Sequence, residues 1–184
     1  MRTMYQILKQ IVRTGIRSEA PPATDPELRS IARRLEAAML RTLGRALVIR
    51  QIDAGSCNGC ELEIHMLSNP YYNLEALGIK FAASPKHADM LLVTGPVTKN
   101  METALLRAYD CTPAPKLVVA VGDCGAGCGV FAKSYACCGG VAEVIPVDLV
   151  VPGCPPTPRA LLQGILTAIS GVLSERCAWR SAIC

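Results

Sequence analysis

The sequence lacks any apolar run long enough to span a membrane. The longest run, at 160–173, covers about 14 residues and contains Gln163, whereas a spanning helix needs about 18. We also expect no secretory leader, because the start of this sequence alternates polar and apolar residues instead of placing an apolar run behind a positive charge. Internal repeats and low-complexity tracts are absent as well. We therefore expect an intracellular chain that does not cross a membrane.

Ten cysteines are present in a chain of 184 residues, 51% of which are hydrophobic. A chain with this much apolar sequence can bury the core of one domain without covalent cross-links. Thiols also persist in the reducing cytosol, where closely spaced cysteines are more often metal ligands or catalytic groups. We therefore expect free thiols, some of which have a chemical role.

Positive charge is concentrated at the start of the chain. Residues 1–50 carry ten Arg and Lys against four Asp and Glu, and the remainder carries nine against eleven. Apolar residues recur at helical spacing over 4–16, and residues 18–24, which include two adjacent prolines, break this pattern. Asp25-Pro26-Glu27 then has the cap, first-turn proline and first-turn acid of a second helix. The predicted apolar stripe of this helix contains Leu28, Ile31, Leu35, Ala38 and Met39. We expect residues 1–45 to form a basic amphipathic helical arm. It would dock to anionic lipid headgroups or to a membrane subunit, with ordinary solvated helices as the alternative and no nucleic-acid partner.

From residue 46 onward, short β-rich runs alternate with helical segments, which is typical of a parallel α/β sheet. The predicted strands cover 46–52, 79–83, 89–94, 116–121 and 144–151, and the predicted helices cover 61–77, 101–110 and 158–173. Five apolar strands with right-handed crossovers indicate a flavodoxin-like doubly wound sheet behind the N-terminal arm. We assign residues 46–173 to this domain and 174–184 to a C-terminal tail.

Four cysteines lie just beyond the ends of predicted strands. Cys57 and Cys60 follow the first strand, Cys124 follows the fourth and Cys154 follows the fifth. The carboxyl ends of parallel strands meet at one edge, and open α/β sheets bind their ligands there. We therefore expect the four side chains to converge in one crevice, with residues 94–96 forming another wall of it.

A Cys-x-x-Cys pair alone fits a zinc site, a dithiol redox centre or an iron–sulfur site. Zinc typically uses a second tight pair, whereas Cys124 and Cys154 are single. Prolines follow Cys154, and Cys-Pro is a recurrent end to cluster-binding runs. The pattern favours an iron–sulfur site and leaves the other two open. The glycine run at 122–129 does not indicate a dinucleotide site, because it follows the fourth strand instead of the first.

Several polar residues flank the predicted ligands. Glu61, directly after Cys60, is a candidate for proton transfer, although Glu61 and Glu63 could simply complement the dipole of the following helix. His65 is expected to be a structural or interface side chain. We expect Asp53 and Asp123 to anchor the ligand loops through hydrogen bonds.

The other six cysteines are not expected to bind a metal. Cys128 is interpreted as a small buried hydrophobic residue, with an alternative ligand or a reactive thiol near the site left open. The remaining five have no glycine-rich ligand geometry around them: Cys111, Cys137, Cys138, Cys177 and Cys184.

Four motifs in one order carry a resemblance to a known family, over residues 53–169. They are Cys57-x-x-Cys60-Glu61-x-Glu63-Ile64, Ser84-Pro85-x-His87-Ala88-Asp89, Gly122-x-Cys124 and Val151-Pro152-Gly153-Cys154-Pro155-Pro156-Thr157-Pro158. Together they resemble the small subunit of membrane-bound group 4 [NiFe] hydrogenases, of the formate-hydrogenlyase and energy-converting type. That small subunit is itself similar to the 20 kDa subunit of respiratory NADH:quinone oxidoreductase, which is also called complex I. The respiratory protein usually has adjacent cysteines at the first ligand pair, so the two residues between Cys57 and Cys60 favour the hydrogenase-like branch.

This resemblance implies a flavodoxin-like core in which Cys57, Cys60, Cys124 and Cys154 hold one [4Fe–4S] cluster. It implies a non-catalytic subunit that relays electrons between a ferredoxin-like two-cluster subunit and the catalytic large subunit of a hydrogenase-like complex. We expect a peripheral position on the cytoplasmic side of the membrane, with membrane subunits contacted through the N-terminal arm. A quinone-reducing complex of the complex I type is the alternative, followed by a zinc-stabilised module without redox activity.

Overall fold

The computed structural model describes residues 2–15, 25–131 and 133–181, with side chains described for 4–15, 25–131 and 133–171. The predicted break between the first two helices, at 18–24, lies outside the described residues. The helices are α1 (Arg2–Thr14), α2 (Pro26–Thr42), α3 (Gly59–Met66), α4 (Lys99–Cys111), α5 (Gly122–Gly125) and α6 (Pro158–Ser181). The strands are β1 (Leu47–Asp53), β2 (Ile79–Phe81), β3 (Met90–Thr94), β4 (Val97–Thr98), β5 (Leu117–Val121), β6 (Cys137–Gly139) and β7 (Leu149–Val151).

Five strands form one parallel sheet in the order β2-β1-β3-β5-β7. Counting only the strands of this sheet, the order is 2-1-3-4-5, which is that of the flavodoxin-like fold. The central strand β3 is buried along its whole length, as expected for a parallel sheet covered on both faces. The predicted fold class is confirmed.

Helices cover both faces of this sheet. Successive side chains of a strand point to opposite faces, so Met90 and Leu92 of β3 pack into one core cluster while Leu91 and Val93 pack into the other. The first cluster is covered by α2 and α6, and the second by Leu105 of α4.

Helix α2 packs on the core through the predicted apolar stripe: Leu28, Ile31, Leu35, Ala38 and Met39 are all buried. Its start is also as predicted, since the Asp25 carboxylate accepts a hydrogen bond from the Glu27 N–H at 3.0 Å and Pro26 lies in the first turn. Helix α2 therefore shares a core cluster with the sheet. The division of the chain into an arm and a domain at residue 45 stays a prediction.

Two predicted elements are shorter in the structure. The helix predicted at 61–77 ends at Met66. The cause is a turn around Pro70, in which the Asn69 side chain accepts hydrogen bonds from the N–H groups of Tyr71 and Tyr72. A separate 3₁₀ turn covers Leu74–Leu77. The strand predicted at 144–151 contains only the residues of β7. Pro146 has no N–H to donate to a neighbouring strand, and the chain before it forms a 3₁₀ turn.

Two further features differ from the sequence prediction. Strands β4 and β6 form a separate antiparallel pair that was not predicted. Helix α6 continues beyond residue 173 to Ser181, through most of the predicted tail.

Within the described part of the chain, we find no helix with the length and apolar character needed to cross a membrane.

Candidate metal centre

The four predicted ligands lie at the carboxyl edge of the sheet. Cys57 lies in the loop after β1, Cys60 in the first turn of α3, Cys124 in α5 directly after β5, and Cys154 in the loop after β7. Gly95, after β3, packs so closely on the Cys57 loop that a Cβ there would lie 2.7 Å from the Cα of Ser56. The wall predicted at residues 94–96 therefore contacts the first ligand loop.

The thiols of these cysteines are close enough to interact electrostatically. Burial raises the pKa of Cys60 to about 12, and the charges of Glu61, Cys57, Cys124 and Cys154 contribute to the same rise. The pKa of Cys124 is also raised, first by burial and then by Cys154 and Cys57. The structure therefore brings together thiols from three separate strand ends.

Two glycines let ligand sulfur atoms lie directly against the backbone, where a side chain would collide with them. A Cβ on Gly122 would lie 2.7 Å from the Cys60 Sγ and 3.2 Å from the Gly153 carbonyl oxygen. A Cβ on Gly129 would lie 2.3 Å from the Cys124 Sγ. These distances are shorter than normal van der Waals contact. The roles of these two glycines were not predicted. Both lie in the glycine run at 122–129, in which Gly122 precedes Cys124 by two residues and Gly129 follows Cys128.

The two predicted loop anchors make the expected hydrogen bonds. Asp53 Oδ1 accepts from the N–H groups of Gly55 at 2.7 Å and Ser56 at 2.8 Å. Asp123 joins two ligand loops, since its N–H donates to the Gly153 carbonyl at 2.9 Å and its Oδ1 accepts from the Gly153 N–H at 2.8 Å. Each carboxylate thus holds the backbone beside a predicted ligand.

The three other polar residues of α3 differ in burial. Glu61 is only 5% exposed, and neither of its carboxylate oxygens has a hydrogen-bond partner among the described residues. Glu63 is half-buried, and His65 is exposed. A carboxylate buried beside a predicted ligand is unusual, because an ionised group without partners is costly to bury. The proton-transfer role of Glu61 stays a prediction.

The other described cysteines differ in exposure. Cys128 is exposed, contrary to the expectation that it is buried, and its Sγ lies 3.7 Å from the Ala126 carbonyl oxygen. Cys111 is exposed on α4, and Cys137 and Cys138 are half-buried in β6. Cys138 donates to a carboxylate oxygen of Glu102 at 3.5 Å. The side chains of Cys177 and Cys184 lie outside the described part of the chain.

The donor set of four thiols fits an iron–sulfur cluster, which cysteine thiolates typically hold. Among the described residues, no three Cys, His, Asp or Glu side chains lie close enough together to hold a single metal ion. A four-iron cluster is wider than one ion, so its ligands need not meet at one point.

Comparisons with known proteins agree with the fold and the motif order. The family model described as "NADH ubiquinone oxidoreductase, 20 Kd subunit" matches residues 57–168. Formate hydrogenlyase subunit 7 of Escherichia coli is 42% identical over 77% of this chain, which spans 55% of the length of that relative. A probable membrane-bound hydrogenase subunit of Pyrococcus furiosus is 43% identical over 72% of this chain and 80% of its own length.

Among solved structures, the chain resembles one from the membrane-bound sulfane sulfur reductase, described as an archaeal respiratory membrane complex. The identity is 31%, with 74% of each chain covered and a TM-score of 0.62. A chain of an NAD⁺-reducing [NiFe]-hydrogenase shares the fold at 19% identity and a TM-score of 0.52, over 67% of this chain and 92% of that one. The protein belongs to the family of the 20 kDa subunit of NADH:ubiquinone oxidoreductase, and within it resembles subunits of membrane-bound hydrogenases.

Proposed function

We propose that this chain is an electron-transfer subunit of a membrane-associated oxidoreductase complex, and that it holds one [4Fe–4S] cluster on Cys57, Cys60, Cys124 and Cys154. The observation that carries the proposal is the convergence of these thiols, from three strand ends, at the edge where sheets of this type bind ligands. When bound, such a cluster accepts and releases single electrons.

The chain's own residues would bind and tune this group. The four thiolates are the ligands, and the raised pKa of Cys60 means that this thiol must lose a proton on binding. Hydrogen bonds from the Phe131 and Val130 N–H groups lower the pKa of Cys124, against the effect of burial, and so favour its thiolate. Backbone hydrogen bonds to ligand sulfur atoms are one of the determinants of cluster potential.

Bond chemistry would take place in a partner. We propose that a hydrogenase-like large subunit docks over the thiol edge and that a ferredoxin-like subunit exchanges electrons with it, on the cytoplasmic side of the membrane. Large apolar side chains are exposed on the elements that carry the ligands: Leu62 and Met66 on α3, and Val130, Phe131 and Tyr135 after α5. Such exposure is typical of surfaces that a partner covers.

A quinone-reducing complex is the second candidate, favoured by the family match itself. A cleft of about 590 Å³ opens beside the first ligand loop and is lined by Arg50, Asp53, His65 and Phe81, among others. It could form part of a quinone channel. The genes next to this one discriminate, because a large subunit with two nickel-binding Cys-x-x-Cys motifs supports hydrogenase and its absence supports quinone or another acceptor.

Anaerobic purification with a co-expressed large subunit tests the cluster. We expect iron and sulfide in equal amounts and an absorption band that bleaches on reduction. Cys57→Ser should lower the iron content, whereas Cys111→Ser, at an exposed cysteine of α4, should not. Zinc in place of iron would support the non-redox module, and zinc or no metal would refute the proposal.

A further inference from the structure

Helix α1 presents an apolar surface that covers nothing in the described part of the chain. All its described side chains are exposed, and its large apolar residues are between 54% and 85% exposed. These residues are Met4, Tyr5, Ile7, Leu8, Ile11 and Val12. The family match begins at residue 57, so the role of this helix is not inherited from the matched region.

The apolar residues of α1 share one side of the helix. At about 100° per residue, the six side chains fall within an arc of about 160°. Gln6 and Gln10 occupy the opposite side. Lys9 lies about 40° beyond one border of the apolar arc, and Arg13 lies one turn further along, on the polar side. No acidic residue occurs before Glu19. The helix is therefore amphipathic, with all of its charge of one sign.

We propose that α1 lies in the headgroup region of an anionic membrane, with its apolar arc towards the acyl chains. The cations Lys9, beside the border of the arc, and Arg13, on the polar side, would meet lipid phosphates there, because long basic side chains reach the headgroups. A protein groove binds a helical stripe at positions i, i+3, i+4 and i+7, and four of the six apolar residues of α1 have this spacing. Tyr5 and Val12 widen the arc beyond that stripe, from about 100° to about 160°. The wide arc and the absence of carboxylates therefore favour a lipid surface over a partner groove.

This contact would hold the electron-transfer domain at the membrane. Helix α2 follows α1 in the chain and is fixed to the core by Leu35, which is fully buried. Its first turn is also fixed, since Arg159 of α6 pairs with both Asp25 and Glu27. The inference rests on the proposed function only for the membrane location of the complex.

Flotation of the full chain with lipid vesicles tests the inference. We expect it to float with vesicles of phosphatidylcholine mixed with phosphatidylglycerol, and far less with phosphatidylcholine alone. Lys9→Gln and Arg13→Gln should each weaken binding about fivefold, and added salt should have the same effect. Retained binding to neutral vesicles at equal strength, or no binding to either kind, would overturn the inference.

Two matched variants separate the apolar arc from net charge. Ile11→Asp places a carboxylate within the arc and should weaken binding at least about tenfold more than Gln10→Asp, which makes the same charge change on the opposite side. Equal binding of the two variants, or association that requires a membrane protein subunit, would refute a lipid-bound α1. Iron and sulfide are measured on the same samples. A chain that holds the cluster but does not bind vesicles contradicts this inference alone. A chain that binds vesicles but contains no iron contradicts the proposed function alone.

Discussion

Replacing Gly122 with alanine should disrupt the metal centre more than it disrupts the fold. The new Cβ would lie 2.7 Å from the Cys60 Sγ, whereas nonbonded contacts of this kind normally span about 3.5–4.0 Å. The sulfur would have to move by about 1 Å, and functional sites tolerate displacements of only about 0.5 Å. The backbone at Gly122 also has φ +83°, which costs a residue with a side chain about 1–2 kcal/mol.

Two measurements on the purified chain test this prediction. We expect the G122A variant to retain far less iron and sulfide than the unaltered chain after anaerobic reconstitution, and to lose about 1–2 kcal/mol of unfolding free energy in urea without metal. Gly171→Ala is the matched control, because a Cβ there meets nothing within 4 Å and alanine favours helix α6 by up to about 1 kcal/mol. Unaltered iron content in G122A would refute the view that Gly122 keeps space for the ligand sulfur.

Three further predictions concern the ligand loops and the core. Asp123→Ala should lower the unfolding free energy of the metal-free chain by about 1.5–3 kcal/mol, since it removes the acceptor for the Gly153 N–H. Asp123→Asn keeps an oxygen there and should cost less, so equal losses would contradict the role of Asp123 as this acceptor. In the metal-free chain at about pH 8, Cys60 should be alkylated more slowly than the exposed thiols, and its rate should increase as pH rises towards its pKa of about 12. Mass spectrometry of the labelled peptides measures these rates, and equal rates would count against the burial of this thiol. Leu35→Ala should lower the unfolding free energy in urea by about 2–5 kcal/mol, whereas Arg159→Met, at a partly exposed ion pair, should lower it by less than about 1 kcal/mol. The reverse order would refute the assignment of α2 to the core.

The sheet and the convergence of the four cysteines could be predicted because both follow from short-range patterns. Parallel strands buried on both faces read as continuous apolar runs, such as Met90–Thr94, and the next few residues then lie at a common edge. The stripe of α2 was equally visible, because its spacing is set by the helix period. These predictions needed no knowledge of which elements pack together.

Other features depend on contacts that the sequence pattern does not carry. The pair of β4 and β6 has only two and three residues, too few to show a period. The burial of Glu61 depends on how α3 packs, since an acid in a first turn is usually exposed. The early end of α3 at Met66 could have been anticipated from Asn69 and Pro70, whose turn chemistry competes with helix.

The distribution of the ligands along the chain also bears on biogenesis. Cys60, Cys124 and Cys154 are separated by tens of residues, and they meet only after β1, β5 and β7 have taken their places in the parallel sheet. Non-local parallel pairing is a slow part of folding, because the entropy of closing long loops is lost before the contacts form. Iron delivered to the nascent chain would find at most the Cys57 and Cys60 pair. On the proposed function, cluster insertion would therefore follow folding of the domain, and the proposed large subunit would dock later still, since it would cover the edge at which the predicted ligands lie.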